Sequence, residues 1–167
     1  MAIKATKPMI ALWTLIRIYV GWQWFSSGIE KTFGPSSDLW VGSKAGTAVY
    51  GFLQGALQKT SGTHPDVQWW YAEFLRTFAI PNAKLFSYTV AFGELLVGVS
   101  LILGLLTTIG LFCGVLMNMN YLFSGAVSIN PLLLLLEAIL LWAGPAAYYW
   151  GIVRFWNPLK RCRAGTS

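Results

Sequence analysis

The run from Met9 to Phe33, MIALWTLIRIYVGWQWFSSGIEKTF, constrains this chain more than any other stretch. About 25 mainly apolar residues, rising ~1.5 Å each, are long enough as a helix to cross a hydrocarbon core of ~30 Å. Yet Arg17 falls near the middle of the run and Glu30-Lys31 at its far end. Arg17, Gly21, Trp24, Gly28 and Lys31 recur at helical spacing, so charges and small residues share one face. That face cannot meet lipid. The buried cation needs partners from another helix, and the glycines let such a helix approach closely. Arg17 is then either part of a functional site or a structural member that fixes packing.

Composition agrees with a bilayer. The 167 residues are expected to form one domain, 1–167, and 56% hydrophobic with 11% charged residues is a membrane composition. The net charge of +6 gathers largely at the termini, in Lys4, Lys7, Arg154, Lys160, Arg161 and Arg163. Such a distribution reports topology and gives no reason to expect a nucleic-acid partner. The first apolar run lacks a small-residue cleavage site and is expected to stay as a membrane helix.

Three further runs, Phe86 to Leu106, Thr107 to Gly125 and Pro131 to Gly151, each approach the ~20 residues a spanning helix needs. The predicted fold is therefore an all-α integral membrane protein, an antiparallel bundle of four transmembrane helices with spans at 9–33, 86–106, 107–125 and 131–151. An even number of spans and two basic ends place both termini in the cytoplasm, in a multi-pass protein of the cell membrane. The segment 34–85 then lies outside.

Within that outer segment, Val49, Phe52, Leu53 and Leu57 share one helical face, and Val67, Trp70, Tyr71, Phe74 and Phe78 share another. Two short amphipathic helices are expected to cover the mouth of the bundle. Thr63 and Asp66 have capping-box spacing, with Pro65 suited to a first helical turn. His64, the one histidine in the chain, is assigned first to a turn or cap. One histidine and two separated cysteines, Cys113 and Cys162, match no haem, zinc or iron-sulfur pattern, and no flavin motif is present. Cys113 amid Leu, Phe and Gly is either an inert small hydrophobe or a sulfur acceptor.

Placed by depth, Glu94, Asn118, Asn120 and Glu137 all fall in the outer half of the bundle, within ~8–12 Å of its outer end. Gln23, Ser26, Ser27 and Glu30 occupy the same half. A polar cavity open to the outer face follows, with Arg17 extending toward it and Glu94 as its expected partner. Asn118 and Asn120, two residues apart, cannot both point into one narrow cavity unless the helix is distorted or serves two neighbours, and Asn118, which shares a stripe with Gly114, Tyr121 and Gly125, is favoured. Glu137 is left three roles: a neutral group, a partner of an asparagine, or a proton carrier.

An ordered set of segments carries a family resemblance: Arg17 followed by GWQWFSSGIEK, then VYGFLQGAL, HPDVQWWYAEFL, FSYTVAFGELLVG, LGLLT, NMNYLFSGAVSINP and AYYWG. The chain resembles the DoxX/DoxD membrane proteins, in particular the DoxD-type large subunit of thiosulfate:quinone oxidoreductase. The resemblance implies oxidation of thiosulfate to tetrathionate at the outer face and reduction of a membrane quinone, which is the electron acceptor. It also implies a small DoxA-type partner subunit in some members. The residues fit with Arg17, Glu94, Asn118 and Glu137 in catalytic roles, and with Lys31, Trp24, Arg76, Lys84 and Asn120 holding substrate. No metal ligand set is expected, and a homo-oligomer stays open. Two other classes share such a bundle: a non-catalytic scaffold or assembly subunit of a respiratory complex, and a small transporter. The apolar inner half below Arg17 counts against the transporter.

Overall fold

The computed structural model describes residues 6–152. The basic residues Lys4, Arg154, Lys160, Arg161 and Arg163, together with Cys162, lie outside the described residues. Among the described residues the fold is all-helical, with seven α-helices and no strand.

Helix α1, Lys7–Phe33, runs unbroken for 27 residues. Pro8 sits in its first turn, where a missing N–H costs nothing, and Gly34-Pro35 ends it. A short α2, Ser37–Trp40, and α3, Thr47–Leu57, follow. Then come α4, Trp69–Phe74, which continues into a π-helical turn, Leu75–Ala79, and α5, Ala83–Leu103. Helices α6, Thr107–Phe123, and α7, Asn130–Ala143, complete the set.

The α1–α5 pair is the most extensive packing in the molecule, and glycine explains it. A Cβ at Gly21 would lie 2.9 Å from the Ile102 backbone nitrogen, one at Gly28 would run into the Leu95 backbone, and one at Gly98 into Phe25. The two backbones therefore touch over about two turns of antiparallel contact. Helix α6 folds back along α5, with Gly110 beside Ser100 and Gly93 beside Met117, and α7 closes the ring between α6 and α1. The core holds Val20, Trp24, Val97, Leu101, Leu111 and Leu140. Each large apolar side chain fully buried there contributes ~1.5–3 kcal/mol.

A second apolar cluster ties α3, α4 and the start of α5 together through Val49, Leu53, Val67, Tyr71, Leu75 and Ala83. This is the amphipathic cover expected from the sequence. Its helix does not begin at the proposed capping box, however. Residues 61–68 form no helix, α4 starts at Trp69, and Val67 instead turns inward, fully buried, with its N–H bonded to the Lys59 carbonyl. Thr63, His64 and Asp66 are left on the exposed turn. Burial of Val67 decides the helix start.

The predicted spans need two corrections. Helix α5 begins at Ala83 and stops at Leu103, because Gly104 takes a left-handed conformation with φ 67°. Helix α7 stops at Ala143 after 14 residues, where Gly144 at φ 56° and then Pro145 break it, so the expected helix to Gly151 is not formed. Among the described helices, α5 alone is both long and apolar enough by length and composition to cross a membrane, while α6 and the stretch 130–146 are shorter apolar helices.

Candidate functional site

A cavity of ≈ 860 Å³ lies between the cover and the bundle. Its walls are mainly aromatic and aliphatic: Trp24 from α1, Trp40 from α2, Phe52 from α3, Tyr71 and Phe74 from α4, Phe86 from α5 and Met117 from α6. Trp40 is held in place by its carbonyl, which accepts from Ser87 Oγ at 2.6 Å. Asp38, just before it, accepts from the Ser43 N–H and hydroxyl at 2.8 and 2.9 Å, and these bonds hold its carboxyl below the usual range.

One polar cluster breaks the apolar lining. Lys31 Nζ lies 2.6 Å from Glu94 Oε2, and it also donates to Ser27 Oγ at 2.6 Å and sits 5.1 Å from the centre of the Trp40 ring. The other Glu94 oxygen accepts from the Tyr121 hydroxyl at 2.5 Å. The Glu94 side chain is 2% exposed and that of Lys31 14%. Removal from water strengthens this ion pair, and each Glu94 oxygen has a donor, which is what keeps a buried charge pair from becoming a liability.

The arrangement overturns the expected Arg17–Glu94 pair. With Gly28 facing Leu95 and Gly21 facing Ile102, Arg17 comes level with the far end of α5, about twelve residues or ~18 Å from Glu94 at ~1.5 Å per residue. No side chain reaches that far. Lys31 sits opposite Glu94 instead. Arg17, 1% exposed, donates to the carbonyls of Leu101 at 2.5 Å, Ile102 at 3.5 Å and Trp150 at 3.2 Å. The last carbonyls of a helix have no partner in the helix and carry its negative dipole end, so a guanidinium there satisfies both. Arg17 thus pins α1 to the end of α5 and to the turn before Gly151, in the packing role.

Asn118 and Glu137 meet each other, but behind the cavity rather than in it. Asn118 Nδ2 donates to Glu137 Oε2 at 2.8 Å, the Trp24 indole N–H donates to Glu137 Oε1 at 2.6 Å, and both Asn118 and Glu137 are 0% exposed. Of the roles left open for Glu137, pairing with an asparagine is the one seen. The asparagine facing the cavity is Asn120, not the favoured Asn118. Its carbonyl and Oδ1 accept from the Tyr71 hydroxyl at 3.2 and 3.1 Å, which latches α4 onto α6. Burial pushes the Tyr71 phenol up, only partly offset by its contact with Ser124, so the latch keeps its proton.

The remaining expected substrate contacts lie outside the cavity. Arg76 is exposed and 3.7 Å from Glu73, and Lys84 lines a shallow surface dent with Gly46 and Tyr50. Cys113 is an exposed free thiol on α6. Tyr121 and Trp40 are among the cavity residues that sequence reasoning passed over. The signal for Tyr121 is its place on one α6 stripe with Asn118, a stripe that points to the asparagine and not to the phenol.

A family model, DoxX, matches residues 12–125. The chain belongs to the DoxX family. DoxX proteins are membrane proteins associated with oxidoreductase-related functions. Comparison with curated proteins and with solved structures gives no match. The DoxX match takes in α1 to α6 and so the whole Lys31–Glu94–Tyr121 cluster, while Glu137 falls beyond it.

Chemically, the cluster offers an ammonium, a phenol and a carboxylate at the edge of an apolar space. The Lys31 ammonium keeps a third N–H beyond those given to Glu94 and Ser27, whereas the single Tyr121 proton is already given to Glu94. Among the described residues no group of three or more His, Cys, Asp or Glu side chains could hold a metal ion.

Proposed function

We propose that this DoxX protein is the membrane subunit of a thiosulfate:quinone oxidoreductase and that the cavity is its quinone site. The observation that carries the reading is the Lys31–Glu94–Tyr121 cluster set into an aromatic cavity of ≈ 860 Å³. In this reading the quinone ring enters among Trp24, Trp40 and Phe74, with a carbonyl within reach of the third Lys31 N–H and with Glu94, held by Lys31 and Tyr121, relaying protons.

The reaction balances as follows. Two thiosulfate dianions join through a new sulfur–sulfur bond and give up two electrons, forming tetrathionate. The quinone takes those two electrons and two protons to become the quinol. The Lys31–Glu94 pair is internally neutral, which favours the uncharged quinone over a dianion in the cavity. Exposed cations at this end of the molecule, Arg76 beside the cover and Lys84 at the start of α5 among them, draw thiosulfate to the outer face by charge. Electrons enter through the sulfur chemistry itself or through a redox group on a DoxA-type partner.

The membrane placement rests on bare apolar surface. Leu15 at 65% exposure, Leu96 at 67%, Ile109 at 60% and Trp142 at 73% place such surface on α1, α5, α6 and α7 in turn, and lipid is its natural cover. All four helices cross the cell membrane in this reading, with both termini in the cytoplasm and the α2–α4 cover outside.

The test is thiosulfate-dependent reduction of decylubiquinone by the purified protein, with and without a co-purified partner. Turnover that requires Glu94 supports the reading. A chain that neither binds nor reduces the quinone, alone or with its partner, is a scaffold.

A further inference from the structure

Behind the cavity wall lies a buried carboxyl that the proposed reaction does not use. Glu137 is 0% exposed, no cation among the described residues pairs with it, and its two oxygens accept from the Trp24 indole and from Asn118. The site is built to hold it. A Cβ at Gly114 would collide with Glu137 Oε1 and come within 3.2 Å of the Trp24 indole nitrogen, so glycine there leaves the pair its room and any larger residue would shift it. Asn118 Oδ1 is buried with no hydrogen-bond partner, which makes the network costly by any packing criterion. An apolar filler would suit this space better if packing were the sole demand.

Trp24 connects this network to the cavity. Its ring lines the cavity while its N–H points away, at Glu137. An indole held at its one polar atom cannot turn about its long axis without leaving a buried donor unpaired, so the small part of Trp24 that meets the cavity, in a residue only 3% exposed, stays fixed. We propose that Glu137, steadied by Asn118, is a positioning residue that locks the Trp24 ring in the back wall of the cavity and so fixes the shape of the space the ligand ring enters. The inference rests on the cavity receiving a quinone. Glu137 needs to be an acceptor here, not a proton carrier. Glutamine satisfies the same need: its carbonyl accepts from Trp24, and an Asn118 amide turned by half a revolution presents Oδ1 to the glutamine N–H.

The experiment labels the full-length protein with 5-fluorotryptophan in nanodiscs, assigns the Trp24 fluorine resonance by its loss in Trp24→Phe, and measures decylubiquinone kinetics on the same variants. Glu137→Gln is expected to leave the Trp24 resonance and KM unchanged. Glu137→Leu is expected to move the resonance and raise KM about tenfold, with kcat within about twofold. In a Trp24→Phe background, Glu137→Leu should add nothing further to KM. If Glu137→Leu does not fold, Asn118→Ala gives the same readout in weaker form. A Trp24 resonance indifferent to Glu137→Leu overturns the proposal, as does an equal rise in KM without the Trp24 indole, or loss of turnover in Glu137→Gln. A resonance that moves with Glu137→Leu but ignores added decylubiquinone upholds the brace and rejects the quinone site, so the two claims fail separately.

Discussion

Lys31 and Glu94 face each other across the α1–α5 contact at 2.6 Å, at the edge of the aromatic cavity and at the level set by Gly28 against Leu95. The pair is nearly dry, so its two charges depend on one another. Removing one leaves the other buried and uncompensated, at a cost of ~3–5 kcal/mol. Glu94→Gln and Lys31→Met should each lower stability by that order, and the double variant should recover most of the loss. Thermal unfolding in detergent reads it; additive losses in the double variant would show the two residues to be independent.

The same carboxylate is placed to relay protons. Glu94→Gln should cut quinone reduction by ~10²-fold or more, the usual weight of a positioned acid or base. Tyr121→Phe, which removes one donor but leaves the Lys31 pair, should cost less. Steady-state rates with decylubiquinone separate the two, and equal losses would place the proton path elsewhere.

Arg17 should behave differently. Its hydrogen bonds cap α5 well away from the cavity, and each bond from a charged donor is worth ~1.5–3 kcal/mol. Arg17→Ala should therefore lower the melting temperature markedly, while the folded fraction keeps its quinone KM. A kinetic defect at full stability would return Arg17 to the chemistry.

Gly28 and Gly98 set how close α1 and α5 come. Alanine at either position forces backbones apart, and overpacking of this kind costs ~1–3 kcal/mol. Gly51, where a Cβ meets nothing, is the control. Gly28→Ala should destabilise and Gly51→Ala should not; the reverse order would contradict the antiparallel register.

The Tyr71 latch has a pH dependence of fixed sign. Because burial raises the phenol above its ordinary value, the folded chain holds that proton more tightly than the unfolded chain. The stabilisation is complete below the unfolded phenol range of ~10 and fades as pH rises past it. Tyr71→Phe should loosen the cover by ~1 kcal/mol, seen as faster hydrogen exchange in α4, and flatten the alkaline loss of stability. Unchanged exchange would mean that the apolar cluster alone holds the cover.

Much of this was legible in the sequence because periodicity and glycine placement are local. The buried face of Arg17, Gly21, Trp24 and Gly28, the two amphipathic cover helices and the small-residue contacts all follow from spacing along one helix. Pairing across helices was not legible. Which cation meets Glu94 depends on the register of α5 against α1, and that register comes from steric contacts at Gly21, Gly28 and Gly98 that no single helix reveals. The choice between Asn118 and Asn120 failed for a related reason. Helix α6 does serve two neighbours, Glu137 within the bundle and Tyr71 in the cover, and spacing along α6 does not say which asparagine meets which.

In the proposed function a quinone ring sits in this cavity against Lys31. A structure of the purified protein with decylubiquinone bound tests it most directly. Ring density is expected between Trp24 and Trp40, with a carbonyl oxygen at hydrogen-bond distance from Lys31 Nζ. Density confined to the lipid-facing surface, with the cavity filled by side chains or water, would contradict it.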